Sequence, residues 1–243
     1  MQNVLFGVSY LGTSYAGWQR QDNALSIQEV IESAFEQICN KKVEIFASGR
    51  TDAGVHAIEQ CFNAKINFQP IQKLPLALNS KLPEDIRIMW AKVVDDEFHA
   101  RFSAHKKTYV YRVRTSEVES PFDSFMTTYL KNNLNYSSML EAAKLLVGEH
   151  DFRSFCSAHT TTNDFVRTIY ELKITRTDNL YEFEITGNGF LYNMVRIIVG
   201  TLVDVGNGKI KPQQVLEILN KKDRKFAGKT MPAKALTLKK VEY

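Results

Sequence analysis

The side chains best suited to chemistry in this 243-residue chain cluster in one short loop. Gly49-Arg50-Thr51-Asp52-Ala53-Gly54-Val55-His56 sets a carboxylate between two glycines, whose backbones reach conformations that other residues avoid. Val43 and Ile45 alternate with charged residues just before it, so Asp52 is expected at a strand end, two positions from the Arg50 guanidinium. Two readings fit such a carboxylate: an Asx-turn closed on its own backbone, or an ionised group held beside a cation for use on a substrate. Arg196 is equally telling, because it interrupts the apolar run 190–205, where an unpaired guanidinium is costly. Its partner is either structural (Glu182, Glu184 or Asp204) or functional, namely Asp52. A third group lies in Lys107-Thr108-Tyr109-Val110-Tyr111, with Lys107, Tyr109 and Tyr111 on one strand face and Arg112 and Arg114 on the other. Tyrosines so placed either pack across strands or stack on RNA bases. The histidines at 56, 99, 105, 150 and 159 are scattered, and no paired-cysteine motif or glycine-rich nucleotide loop occurs, so neither metal nor nucleotide cofactor is expected.

The elements that must position these groups follow from periodicity. Val4, Phe6, Val8 and Tyr10 alternate as a half-buried first strand. Ser26-Ile27-Gln28-Glu29 is a capping box, after which Ile27, Val30, Ile31, Ala34, Phe35 and Ile38 form one apolar helical stripe. A strand at 55–68, a short helix at 76–80 and a strand at 86–94 complete a strand-helix-strand-strand-helix-strand order, that of a ferredoxin-like sandwich. The second half echoes it. A strand at 105–114 leads to a second capping box, Ser138-Met139-Leu140-Glu141, whose helix runs to about Val147 with Gly148 as C-cap. Paired strands at 167–176 and 181–186, a helix at 190–205 and a closing strand at 236–241 follow. The expectation is therefore an α+β protein of two ferredoxin-like sandwich domains, 1–104 and 105–243, with mainly antiparallel sheets and a central cleft, a usual place for a site.

Composition narrows the class. Hydrophobic residues make up 44% and charged residues 24%, the proportions of an ordinary globular protein. The first ten residues read as a strand rather than a signal peptide, and the apolar run 190–205 is broken by Asn193, Arg196 and Asp204, so no membrane span is expected. Three cysteines without metal spacing fit reduced thiols in the cytoplasm. The net charge of +4 is uneven: residues 209–243 carry ten Lys and Arg against three Asp and Glu. That segment fits phosphate neutralisation, and it fits a solvated, lysine-rich helix end equally well.

The motifs, taken in order, resemble the tRNA pseudouridine synthase A family over nearly the whole chain. They are Tyr10-x-Gly12-Thr13-x-Tyr15-x-Gly17-Trp18-Gln19, the loop 49–56, Leu78-Asn79 with Leu82-Pro83-x-Asp85-Ile86, and residues 98–104 with Lys107-x-Tyr109-x-Tyr111. Asp151-Phe152-x-Ser154-Phe155, Arg167-Thr168-Ile169 and Met194-Val195-Arg196-x-x-x-Gly200 complete the set. One departure is Ala235, where the family usually has glycine. The resemblance implies isomerisation of uridine to pseudouridine in the anticodon arm of tRNA, by a homodimer, with no cofactor or metal. It implies that Asp52 acts on the ribose as nucleophile at C1′ or as base at C2′, and that Arg196 pairs with it. Arg50 would hold the nucleotide out of its stack, at a cost of a few kcal/mol, while Tyr109 stacks on the base. Arg20, Arg101, Lys106, Lys107 and Arg112 are the candidates for phosphate contacts. Two other classes compete: a non-catalytic RNA-binding module that uses Tyr109 and Tyr111 as platforms, and a hydrolase, for which a second acid is wanting.

Overall fold

A computed structural model describes residues 1–158, 160 and 162–243. The chain is a mixture of helices and mostly antiparallel strands, and it divides into two compact units, Met1–His105 with Thr237–Tyr243, and Lys106–Leu236.

The first unit is organised on β1 (Gln2–Tyr10), which lies antiparallel to β3 (His56–Ile66) on one side and to β4 (Ile86–Val93) on the other. Helix α1 (Ile27–Cys39) starts where its capping box requires: Ser26 Oγ accepts the Glu29 amide at 3.2 Å. Its apolar stripe buries Ile27, Ile31, Ala34 and Phe35. Phe35 meets Phe6 edge-on at 5.5 Å, and Phe6 stacks on Phe62 at 4.8 Å, forming an aromatic core with Trp18 tilted against Phe62 at 6.0 Å. Removing one such ring typically costs about 3–5 kcal/mol. Helix α2 (Leu74–Asn79) places Asn79 to bridge both sides of Ile88, donating to its carbonyl at 2.9 Å and accepting its amide at 2.8 Å. The strand expected from Val43 and Ile45 shrinks to β2 (Phe46–Ala47), paired antiparallel with Asn63 and Phe62 of β3. Val43 and Ile45 are buried, but they make no ladder, since alternation reports which face is covered and not whether the backbone has a partner.

In the second unit, β5 (Lys106–Thr115), β9 (Leu180–Gly187), β8 (Val166–Thr177) and β7 (Gly148–Asp151) lie side by side and antiparallel, and β6 (Thr128–Leu130) runs parallel to β5. Asp178, at φ 54°, turns β8 into β9, a conformation that aspartate and asparagine tolerate. Two expectations about α3 are corrected here. Helix α3 (Tyr136–Lys144) is capped by Asn135, whose side chain accepts the Ser138 amide at 3.0 Å, so the Ser138 box lies inside the helix. Gly148 opens β7 and does not cap α3. Helix α4 begins at Met194 (Met194–Gly206), four residues later than periodicity suggests, because Asn193 adopts φ 61°. Helix α5 (Gln214–Lys221) and the strand β7 were not anticipated. The closing strand β10 (Leu236–Glu242), expected in the second half, pairs parallel with His56 and Ala57 of β3 in the first unit. Among the described residues, no helix is long and apolar enough to cross a membrane.

Candidate active site

The Asp52 loop is gripped through its neighbour. Thr51 is buried, its Oγ1 shares a 2.8 Å hydrogen bond with the Tyr10 hydroxyl, and its carbonyl accepts the Trp18 amide at 3.0 Å. Gly17 lies against this carbonyl at φ +91°, so close that a Cβ there would stand 2.6 Å from the oxygen. Gly12 crosses the far end of the loop in the same manner, its amide donating to His56 Nδ1 at 3.0 Å. Within the loop the Val55 amide donates to the Asp52 carbonyl at 3.1 Å, and the Gly54 amide donates to Tyr15 at 3.3 Å. The motif at residues 10–19 is thus the surface on which the Asp52 loop is moulded.

Gln60 holds the other side. Its side chain is fully buried; Nε2 donates to the Gly49 carbonyl at 2.8 Å, while Oε1 accepts the Ser48 hydroxyl and the Cys61 amide. Sequence reasoning missed Gln60, although a glutamine amid Cys61 and Phe62 in a core strand was the available signal. Burial pushes the neighbouring Cys61 thiol up to about 12, so it stays protonated and inert. Asp52 itself is half-buried at the mouth of this framework, and Arg50 is exposed, with Nε donating to Gln19 at 3.1 Å.

The second unit fixes Arg196 with similar care. Arg196 is half-buried on α4; its Nε donates to the Met231 carbonyl at 2.6 Å and a terminal nitrogen donates to Asn193 Oδ1 at 2.7 Å. Gly200 explains the spacing of its motif: a Cβ there would lie 1.9 Å from the Lys229 carbonyl, so only glycine admits the segment that brings Met231 to Arg196. Of the structural partners considered for Arg196, Glu182 pairs with Arg112 at 2.8 Å and Asp204 with Lys209 at 3.2 Å.

Tyr109 is half-buried and meets Phe190 edge-on at 5.2 Å. Tyr111 is fully buried and cannot be a stacking platform: its hydroxyl bonds Thr128 at 2.7 Å and donates to the Pro232 carbonyl at 2.9 Å. Burial raises its phenol well above the usual range, against the pull of Arg196. Among the phosphate candidates, Arg20 reaches Glu32 at 2.9 Å, Arg112 gives its Nε to Glu182, and Lys107 is half-buried. Lys106 lies over the Tyr170 ring at 6.0 Å and Arg101 over Phe102 at 5.7 Å. Part of the basic C-terminal segment is structural, since Lys222 pairs with Asp151 at 3.1 Å and Lys221 caps Phe226 at 3.7 Å. Among the described residues no three His, Cys, Asp or Glu side chains are grouped to hold a metal; His159 lies outside the described residues.

A family model described as tRNA pseudouridine synthase matches residues 7–103 and 142–243. The chain belongs to the tRNA pseudouridine synthase family. It is an isomerase of that family, acting on uridine in tRNA. Full-length relatives agree with the assignment. The tRNA pseudouridine synthase A of Thermoanaerobacter sp. (strain X514) is 45% identical over 244 residues, covering all of both chains. That of Bacillus subtilis (strain 168) is 45% identical over 240 residues, 97% of each chain. Among solved structures, a chain of a Cbf5-Nop10-Gar1 complex aligns with a TM-score of 0.44 at 12% identity, over 97% of this chain and 49% of that one.

Proposed function

We propose that the protein isomerises uridines of the tRNA anticodon stem-loop, with Asp52 as the catalytic carboxylate and no cofactor or metal. The observation that carries this reading is the fixation of the Asp52 loop from both flanks, by Tyr10, Gly17 and Trp18 at Thr51 and by Gln60 at Gly49. Such effort is wasted on a surface turn and is what a reacting group needs, since catalysis depends on holding that group in place before the substrate arrives.

The chemistry requires the N1–C1′ bond to break, the uracil to rotate while bound, and a C5–C1′ bond to form as the C5 proton leaves and N1 takes one up. No atom is gained or lost overall, so the protein's tasks are to stabilise an electron-poor C1′ and exclude water. Asp52 does the first as nucleophile at C1′ or as base at C2′. Arg196 supplies the compensating charge from the second unit, Tyr109 stacks on the base, and Arg50 keeps the nucleotide out of its stack. Arg20, Arg101, Lys106, Lys107 and Arg112 follow the phosphates. Each unit is read as a ferredoxin-like sandwich; in the first, the order β4-β1-β3-β2 with α1 and α2 as connections favours that reading. The working form is a cytoplasmic homodimer.

The test is Asp52→Asn, assayed by tritium release from C5-labelled uridine in unmodified tRNA. Turnover should fall by at least about 10²–10⁴-fold, the span over which a positioned acid–base group acts, while tRNA binding persists. Turnover within a few-fold of the parent removes Asp52 from the mechanism.

A further inference from the structure

The first unit carries an exposed cluster of aromatic rings that none of the proposed roles uses. Phe102 is 77% exposed and Phe46 40% exposed, and the His99 ring lies between them, with centroids 4.5 Å from Phe102 and 5.5 Å from Phe46. The Arg101 guanidinium is 5.7 Å from the Phe102 ring.

A single exposed phenylalanine is ordinary surface. This one is held in place by buried polar groups. Asn3, 1% exposed, donates to the carbonyls of Asp95 and Phe98 at 2.8 and 2.9 Å. Asn63, 5% exposed, donates to Asn3 Oδ1 and accepts the Ala100 amide, both at 2.9 Å. The Ser103 amide donates to the His99 carbonyl at 2.9 Å, and the Arg101 amide donates to His99 Nδ1 at 3.1 Å, which fixes the imidazole plane. Two buried amides and a locked turn therefore present Phe102, His99 and one cation to solvent in a set orientation, and β2, paired with β3 at Asn63, brings Phe46 against His99. An aromatic face fixed before contact is a stacking site with little ordering left to do.

Position supports a nucleic-acid ligand. Phe46 and Asp52 are six residues apart, so at about 3.3–3.6 Å per residue their Cα atoms lie within roughly 20 Å. A stacked strand advances about 3.4 Å per nucleotide, which places Phe46 within about six nucleotides of a uridine at Asp52. The acidic run Asp95-Asp96-Glu97 enters the same turn, so recognition there rests on the ring faces, with the Arg101 guanidinium beside them.

We infer that Phe102, His99, Phe46 and Arg101 form a platform on which an unpaired base of the RNA, a few nucleotides from the target uridine, stacks. This rests on the tRNA-modifying reading above, and the following experiment separates the two. The affinity for unmodified tRNA is measured in an Asp52→Asn background with Phe102 intact or changed to Ala, Leu or Trp. Base–aromatic stacking predicts that Phe102→Ala weakens binding by about 5- to 150-fold, that Trp restores it and that Leu does not. The slope of affinity against salt should not change, because no charge is removed. Equal affinity for the Ala variant, or rescue by Leu, overturns the platform. So does a fall in sedimenting mass with Phe102→Ala, which would make the cluster a face between copies of the chain. Pseudouridine formed by the parent protein, scored separately, decides the function: parent turnover with unchanged Ala affinity sinks only the platform, and no parent turnover on any tRNA sinks the function.

Discussion

Gly17→Ala tests whether the framework around Thr51 positions Asp52. The new Cβ would stand 2.6 Å from the Thr51 carbonyl oxygen, 3.1 Å from the Ala53 nitrogen and 3.1 Å from the Asp52 carbonyl carbon, all backbone atoms. Ordinary contact starts at 3.4 Å, so the Thr51 carbonyl must retreat by about 0.8 Å, from 2.6 to 3.4 Å. Asp52 is the next residue, and a misplacement of about 1 Å at a reacting group costs on the order of 10²-fold in rate. Holding alanine at positive φ adds about 1–2 kcal/mol of strain. The expectation is a folded, less stable variant with kcat reduced by about 10–100-fold and KM for tRNA little changed. Gly208→Ala is the control: it has φ +75° but nothing within 4 Å of a built Cβ. It should carry a similar strain and leave kcat intact. Tritium release gives kcat and KM, and thermal unfolding gives the stability of both variants. If Gly17→Ala loses stability like the control yet turns over within twofold of the parent, the contact with Thr51 does not position the carboxylate.

Tyr111→Phe should cost about 1–3 kcal/mol by leaving the Pro232 carbonyl without its donor, seen as a lower urea midpoint, while kcat per folded molecule stays unchanged. Tyr109→Leu should do the reverse, with activity lost and the unfolding midpoint kept. Asp151 is drawn below the usual carboxylate range: burial opposes this, but Lys222 at 3.1 Å and the Arg153 amide and guanidinium outweigh it. Its stabilising effect is complete above the unfolded value of about 3.9 and lost as pH falls through the lower folded value. Asp151→Asn should therefore lower Tm at pH 7 and cease to matter in strong acid, as unfolding scans against pH would show. Activity should survive exhaustive EDTA treatment; inactivation reversed by added metal would contradict the cofactor-free reaction.

The sequence disclosed most where one local rule had no competitor. The α1 capping box held because Ser26 and Glu29 need only each other, and the apolar runs located β1, β3, β4, β5, β8 and β9, although β1, expected half-buried, is covered on both faces from Asn3 to Val8. It misled where tertiary contacts chose between local options. Ser138 satisfies the capping-box spacing as well as Ser26 does, yet Asn135 caps α3, because Leu134 is buried, the Asn135 amide donates to Gly206 at 2.8 Å and the Tyr136 hydroxyl donates to Ile174 at 2.8 Å. Asn193 is invisible to hydrophobic periodicity but leaves the helical region to bind Ser157 and Arg196 with its side chain. The same limit applied to Tyr109 and Tyr111. They share a strand face by period, and only the positions of Thr128 and Pro232 make one of them core.

Motifs far apart in the chain proved to be halves of single contacts, and this carries the functional argument further than any one residue does. Gly12 and Gly17 belong to the 49–56 loop because their missing side chains are the space its backbone occupies. Tyr15 belongs with Asp85 through a 2.7 Å hydrogen bond, and Gly200 with the segment that presents Met231 to Arg196. Burial alone would ask only for apolar residues of suitable volume at these places, since cores tolerate much exchange at constant volume. What these pairs demand instead is a backbone passing within van der Waals contact of another backbone, with donors and acceptors matched. Such constraints set position to tenths of an ångström and contribute little bulk stability. Their concentration around Asp52 and, separately, around Arg196 is what supports the roles proposed for those two residues.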